Sequence, residues 1–308
     1  MKLSKLLDEC ENYGDTEIKN IVFDTARVEK GSLFFCLKGV KNDGHDYAAQ
    51  ACEKGAAAVV AQRRVEADVP QIICEDTRHA LSIAAKRYYG SAADRLKIFA
   101  VTGTNGKTTT TYMLKAIFES NGFNTGLIGT NAVEYGGTVY PATLTTPDPT
   151  ELHEIFARME KAGVTHVVME ASAHALALKK LDGIRFKAVG FTNLSRDHLD
   201  FFGDMENYKR AKLLLFKKER SDFACANAED ACSEEIVSFN KNAILYGLNG
   251  NAAVRAKDLK LSEKGSKFKV EYCGSKAEAV VRLPGKYNVY NAVSYTHLRA
   301  HETLRHLV

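Results

Sequence analysis

Short apolar runs alternate along this chain with segments in which apolar residues return every three or four positions. Runs of the first kind suit strands buried on both faces, and the second kind suits helices lying over them. The alternation therefore predicts an α/β protein. Before residue 90 the pattern predicts strands at 31–37, 56–61 and 71–74 and helices at 46–54 and 77–89, with Gly55 ending the first helix and Pro70 preceding the last strand. From residue 97 it resumes with a strand at 97–101, a helix from Thr108 closed by Asn121-Gly122, a strand at 125–129, and a hairpin at 132–140 turning at Gly136-Gly137. Pro149 stands at the first position of a helix reaching Ala162, and Asp148 with Glu151 forms a capping box. Strands at 164–169 and 186–192 follow, then an amphipathic helix at 204–218 capped by Asp204. The remainder reads as strands at 222–226, 243–246, 252–261, 267–272 and 277–283.

These breaks predict a small N-terminal α/β domain over residues 1–90 and a linker at 90–94. A larger, mostly parallel, doubly wound central domain then covers 95–293. Residues 294–308 are short, polar and basic, continue no preceding element, and read as a non-native tail. They hold three of the nine histidines, His297, His301 and His306, at a spacing that would allow a metal on a helix.

Composition narrows the class. With 308 residues there is enough chain for two cores, and 45% hydrophobic and 26% charged residues are ordinary for a soluble globular protein. A net charge of +4 without a long basic run argues against nucleic acid as a partner. No apolar stretch reaches membrane-spanning length, and the N-terminus acquires acids before any secretory core forms, so the expectation is a cytoplasmic protein. Seven scattered cysteines without a C-x-x-C pair, several inside apolar runs (Cys36, Cys74, Cys225), read as reduced thiols.

The chemistry concentrates between Ile98 and Tyr112. An apolar strand leads into Gly103-Thr104-Asn105-Gly106-Lys107-Thr108 and then a helix, the setting in which backbone N–H groups and a helix dipole face a phosphate. Lys107 can reach the β and γ phosphates, and the Thr108 hydroxyl can ligate Mg²⁺. Val101 stands where the general pattern has its first glycine, and a Gly-rich turn with a solvated lysine is the alternative. Two later strands end on polar residues: one on Glu170, the other just before Asn193 to Asp200, with His198 beside Asp197. In a doubly wound sheet those strand ends collect ligands. Each residue there is either a cap or a metal ligand. Thr145 and Thr146 precede a helix N-terminus, where they serve an anion or merely the loop, and Lys212 lies beside an apolar helix face, where a snorkelling lysine is the plain reading.

The run Thr-Gly-Thr-Asn-Gly-Lys-Thr-Thr resembles the ATP loop of the Mur ligase family, the ATP-dependent amide ligases that build the peptide of peptidoglycan. Asp24 to Phe35, followed by Gly39 and Asp43-Gly44-His45, resembles the nucleotide-sugar domain of the MurE-type branch, and so does Thr145-Thr146-Pro147-Asp148. Glu-Ala-Ser-Ala-His-Ala-Leu, Phe-Thr-Asn-Leu-Ser-Arg-Asp-His-Leu-Asp, the set Tyr208, Ala211, Lys212, Leu215, Phe216, and Leu283 to Ala292 are similar to further family motifs. The likeness spans about residues 20 to 293. It implies ATP contacts at Gly103, Thr104, Asn105, Gly106, Lys107, Thr108 and Thr109, with Asn288 and Asn291 on the adenine side. It implies two Mg²⁺ ions at Thr108, Glu170, His198 and Lys212, the last carbamylated by CO₂. Lys107, Lys212, His198 and Glu170 become the catalytic set. The UDP-MurNAc-peptide would meet Thr25, Asn42, Thr145, Thr146, Ser172 and Lys180. Three positions depart from the family pattern: Ala26 and Lys180 stand where arginines are usual, and Ala173 where a second serine is common.

The implied reaction passes phosphate from ATP to the carboxylate of UDP-MurNAc-L-Ala-D-Glu and then joins a diamino acid, lysine or meso-diaminopimelate, to the acyl-phosphate. The resemblance also implies a monomer. It includes a third, amino-acid-binding domain after the central one, so this chain is expected to bind ligands without completing ligation. A folylpolyglutamate synthetase-like ligase, a P-loop kinase and a non-catalytic nucleotide-binding module are the alternatives.

Overall fold

In the strand Ser32–Phe35 all four side chains are buried, and their alternation divides them between two cores. Leu33 and Phe35 join Leu3, Leu6, Val60 and Leu81 on one face, while Phe34 joins Val22, Val59 and Ala51 on the other. A strand covered on both faces belongs inside a parallel sheet. The computed structural model, which describes residues 1–8, 16–249 and 251–300, places it there. The first sheet runs in the order β1 (Asn20–Val22), β2 (Ser32–Phe35), β3 (Ala56–Ala61) and β4 (Gln71–Ile73), every pair parallel. Helices α1 (Ala48–Glu53) and α2 (Thr77–Tyr88) cover it. Asp76 caps α2 by accepting the N–H groups of Arg78 and His79, each at 3.0 Å.

Two differences from the sequence reading appear here. β1 was not anticipated, because three residues are too few to show a period. The helix expected from Asp46 to Lys54 begins as a 3-10 turn over Gly44–Tyr47, tightened by the Asp43 carboxylate accepting His45 N–H at 3.0 Å. By contact the chain forms two compact units. One comprises residues 1–93, 148–158 and 178–183, and the other holds the rest.

The second unit carries an eleven-stranded sheet. The elements that follow in chain order are β5 (Lys97–Thr102), α3 (Lys107–Ser120), β6 (Thr125–Ile128), β7 (Ala132–Tyr135), β8 (Thr138–Pro141), α4 (Pro149–Lys161), of which residues 149–158 belong to the first unit, β9 (His166–Glu170), α5 (Ala173–Ala177) and β10 (Phe186–Phe191). Then come α6 (Leu199–Phe202), α7 (Met205–Leu213), β11 (Ser221–Asn227), α8 (Ser233–Phe239), β12 (Ala243–Gly247), β13 (Val254–Ser262), β14 (Gly265–Tyr272), β15 (Ser275–Val281) and α9 (Lys286–Ala300). The strand order is β15-β14-β13-β12-β11-β10-β5-β9-β6-β7-β8. The stretch from β13 through β6 is parallel, and antiparallel hairpins finish both ends.

From β5 the chain winds outward to β6 and β9 on one side, then returns to lay β10 on the other. The direction reverses between β5 and β10, which makes the crevice beyond their carboxyl ends the place where a doubly wound sheet holds ligands. Phe99, Val101, Leu114, Phe118, Leu127 and Val168 pack α3 against this centre.

The helix expected over 204–218 ends at Leu213 and tightens into a 3-10 turn at Leu214–Phe216, which turns Leu215 and Phe216 into the core. The short helices α5, α6 and α8 escaped sequence reading, since one or two turns show no usable period. The backbone of 294–300 continues α9 without a break, whereas the polar composition of that segment had suggested a separate tail. His297 lies on this helix with its side chain outside the described residues, and His301 and His306 lie outside them altogether.

Candidate functional site

The loop after β5 is shaped by two glycines. Gly103 has φ +144, and a Cβ there would stand 1.9 Å from Thr192 Oγ1, so only glycine lets the loop pass the end of β10. Gly106, at φ +86, is the N-cap of α3 and supplies no side-chain cap. The first N–H groups of a fourteen-residue helix are thereby left for an external anion.

The loop is latched to the segment after β10. Thr104 N–H donates to Asn193 O at 2.8 Å, and Asn105 N–H donates to the Asn193 side-chain oxygen at 3.0 Å. Asn105 O accepts from Thr192 Oγ1 at 2.6 Å and from Asn193 Nδ2 at 3.0 Å. Thr104 Oγ1 accepts Ser195 N–H at 3.0 Å and lies 3.3 Å from the Tyr208 hydroxyl. The Asp230 carboxylate takes Leu194 N–H at 2.8 Å, fixing the latch from behind. Asn193, Asp230 and Tyr208 were not singled out as site residues from sequence. Only the polarity of a strand end marked the first, and nothing local marked Asp230.

Two lysines converge on this loop. Lys107 Nζ donates to the carbonyls of Gly103 and Thr104 at 3.0 and 2.9 Å, and Lys212 Nζ donates to Gly103 O at 2.8 Å. Burial lowers the Lys107 pKa, opposed by the charges of Glu170 and Asp197. Lys212 is 1% exposed, with its nitrogen 4.3 Å from the centre of the Tyr208 ring. Burial, reinforced by the charge of Lys107, brings its pKa down to about 7. The snorkelling alternative for Lys212 therefore fails: its amine is inside the protein, and a substantial fraction of it is neutral near pH 7.

Glu170, 1% exposed at the end of β9, accepts Thr108 Oγ1 at 3.0 Å, Thr130 N–H at 2.9 Å and Thr130 Oγ1 at 3.1 Å. Thr146 Oγ1 donates to Glu170 O at 2.9 Å and accepts Ser172 N–H at 3.0 Å, and Thr145 Oγ1 lies 3.1 Å from Thr130 Oγ1. Thr108, Glu170, Thr145, Thr146 and Ser172 thus form one connected polar surface at the ends of β6 and β9. Thr130 belongs to it and was missed, a single hydroxyl in a loop having no sequence signal.

His198 is placed differently. It sits at φ +53 with its side chain about half exposed, against His174 (ring centroids 4.8 Å apart) and Tyr208 (5.9 Å). No hydrogen bond joins it to Glu170, and among the described residues no three His, Cys, Asp or Glu side chains gather as a metal site. What the chain does present for Mg²⁺ is an adjacent hydroxyl and buried carboxylate, Thr108 and Glu170. These are hard oxygen donors that suit Mg²⁺ completed by phosphate and water.

Asn291 on α9 reaches the loop's far side, where a Cβ on Gly106 would stand 2.4 Å from its Oδ1. Asn291 Nδ2 donates to Asn288 Oδ1 at 3.3 Å, and Asn288 Nδ2 to Pro284 O at 2.8 Å. Thr109 follows in the first turn of α3.

In the first unit, Thr25 and Asn42 line one open cleft of about 450 Å³ with Phe23, Tyr47 and Arg78. Lys180 pairs with Asp148 at 2.7 Å beside a smaller hollow.

A switch-point loop that leaves helix N–H groups open, a lysine folded over that loop, and a buried acid on the following threonine give this α/β protein the geometry of a phosphate loop. Residues 101–297 match the Mur ligase middle domain and residues 17–89 match the Mur ligase family, catalytic domain, and the chain belongs to the Mur ligase family. It is 40% identical to the UDP-N-acetylmuramoyl-L-alanyl-D-glutamate--2,6-diaminopimelate ligase of Bacillus licheniformis, covering 96% of this chain and 63% of that protein. Against the ligase of the same name from Clostridium perfringens it is also 40% identical, covering 91% and 59%. The chain thus spans less than two thirds of the length of these relatives. A solved UDP-N-acetylmuramoyl-L-alanyl-D-glutamate--2,6-diaminopimelate ligase superposes with a TM-score of 0.83 at 29% identity, over 93% of this chain and 60% of that one. The MurF ligase of Thermotoga maritima in complex with ADP shares the fold, with a TM-score of 0.60 at 21% identity over 95% and 64%.

Proposed function

We propose that this chain forms the nucleotide-sugar-binding and ATP-binding parts of an ATP-dependent amide ligase acting on UDP-MurNAc-L-Ala-D-Glu. The incoming diamino acid is 2,6-diaminopimelate or lysine, and the names of the relatives favour the former. The observation that carries the reading is the shared grip of Lys107 and Lys212 on Gly103 O, beside the contact of Thr108 with Glu170. Phosphoryl transfer needs little from a protein beyond position and positive potential around the moving group. The open N–H groups of α3 and Lys107 provide that potential, and Asn288 and Asn291 stand where the adenine side is expected. The Ser172 hydroxyl, 3.3 Å from that of the buried Thr146, can donate to the substrate's acyl end.

Thr108 and Glu170 would hold Mg²⁺, which when bound neutralises phosphate charge. His198 would complete a second site with Lys212, once that neutral amine has taken up CO₂ and turned from a cation into an anion. A ligase using ATP and a uridine nucleotide works in the cytoplasm.

The test is calorimetry of the purified chain with Mg²⁺ and a non-hydrolysable ATP analogue, and separately with UDP-MurNAc-L-Ala-D-Glu. Both should bind, and Lys107→Ala should lose the nucleotide alone. Nucleotide binding without any muramyl-nucleotide binding would overturn the substrate assignment. Undiminished nucleotide binding in folded Lys107→Ala would overturn the site.

A further inference from the structure

Arg78 stands between the two hollows of the first unit. It lines the larger cleft with Thr25 and Asn42, and also the smaller one, of about 100 Å³, with Asp148 and Lys180. It projects from the first turn of α2, and one guanidinium nitrogen donates to Lys38 O at 2.8 Å. That carbonyl begins the turn carrying Asn42, which is closed by Gly39 N–H on Asn42 O at 2.8 Å. One donor of the fork is thus spent on holding the turn, while the side chain as a whole lines both hollows.

The charges around it leave Arg78 as the surplus cation. Asp76 is engaged by Lys179 as well as by the N–H groups it caps, and Asp148 is paired with Lys180 at 2.7 Å. Asp24, also on the cleft wall, accepts Ala26 N–H at 2.9 Å, and Asp43 is held by His45 and by Arg63 at 3.2 Å. Two lysines answer two aspartates, and Arg78 itself makes no ion pair among the described residues. A half-buried guanidinium is costly to desolvate, and burial lowers its pKa against the pull of Asp76 and Asp148. Such a group on a cavity wall is compensated when an oxyanion enters, and its planar fork matches two phosphate oxygens better than a lysine could.

We infer that Arg78 binds the diphosphate of the nucleotide sugar, while its bond to Lys38 O holds the Asn42 turn in place for the uridine end. This rests on the uridine-nucleotide reading of the cleft proposed above and adds to it the residue that recognises the charged linkage. Thr25, Asn42 and Arg78 share one wall, so a ligand lying along it can meet all three.

The experiment measures affinities of uridine, UDP and UDP-MurNAc-L-Ala-D-Glu for the wild type, Arg78→Gln and Arg78→Lys, with folding checked by thermal melting. Wild type should prefer UDP over uridine. In Arg78→Gln that preference should fall about tenfold to a hundredfold, the usual worth of a charged hydrogen bond. Uridine affinity itself should hardly move, and Arg78→Lys should recover part of the loss, since it returns charge without the fork. Equal weakening of uridine and UDP would mean that Arg78 acts only through the turn, and would overturn the inference. So would an unchanged preference in Arg78→Gln. A wild type that binds no uridine compound would instead overturn the proposed substrate, and with it the ligand assigned here.

Discussion

Lys107 and Lys212, more than a hundred residues apart in sequence, place their side-chain nitrogens on the same acceptor, the carbonyl of Gly103, at 3.0 and 2.8 Å. Burial of the Lys212 amine, and after it the repulsion of the Lys107 cation on the same carbonyl, bring the Lys212 pKa down to about 7.

A first prediction follows from the sign of that shift. In the unfolded chain Lys212 would titrate near 10.5, so between about pH 7 and 10.5 the unfolded state holds more protons and Lys212 makes stability rise with pH. Below pH 7 the folded protein carries the whole cost of the buried charge. Lys212→Met should therefore raise stability at neutral pH, on the order of a few kcal/mol. Denaturant melts at pH 7 and pH 10 check it: the advantage of the variant should shrink at the higher pH.

The same amine is predicted to carry CO₂. In ¹³C-bicarbonate a carbamate signal should grow as pH rises through about 7, as the neutral amine becomes available. It should vanish in Lys212→Met, and carbon NMR reads it directly. A wild-type spectrum identical to that of the variant would remove Lys212 from the metal-binding set.

Gly106 offers a test of the loop that does not touch charge. Its φ of +86 and the approach of Asn291 Oδ1 to 2.4 Å from a would-be Cβ both exclude a side chain. Gly106→Ala should cost about 1–3 kcal/mol of nucleotide binding through strain and displacement of Asn291. Pairing it with Asn291→Ala should recover part of the loss, because the steric share disappears. Calorimetric titration of the four proteins measures the coupling.

The buried His153 of α4 predicts the acid limb of stability. It is 1% exposed, its Nε2 has no partner among the described residues, and burial, with Lys86 adding repulsion, pushes its pKa down to about 3. Its unfolded value near 6.5 is higher, so its contribution is complete above that pH and is lost as pH falls toward 3. His153→Leu should flatten stability between pH 6.5 and 3 by on the order of a few kcal/mol. Urea midpoints across that range give the comparison.

Much of the site was legible in the chain itself because it is local. Gly103 to Thr108 is one turn of backbone between a strand and a helix, and its glycines and flanks mark it within a short window even though distant residues hold it in place. The parallel α/β class and most element positions followed for the same reason, since a buried strand and an amphipathic helix each write their period into a short window. Residues 101–297 and 17–89 carry the family likeness on that local footing.

Tertiary structure decided whatever depends on residues distant in sequence meeting. No period marks Asn193 as the latch of the loop, Asp230 as its support, or Thr130 as a partner of Glu170, because each acts through hydrogen bonds to residues distant in sequence. Lys212 looked like a surface lysine beside an apolar stripe, and only the packing of α7 showed its amine enclosed, because burial is a property of what covers a residue. Strand order belongs to the same category. The sequence by itself determines which segments become strands, but only their packing sets β5 beside β10 and opens the crevice where the two lysines, Thr108 and Glu170 come together.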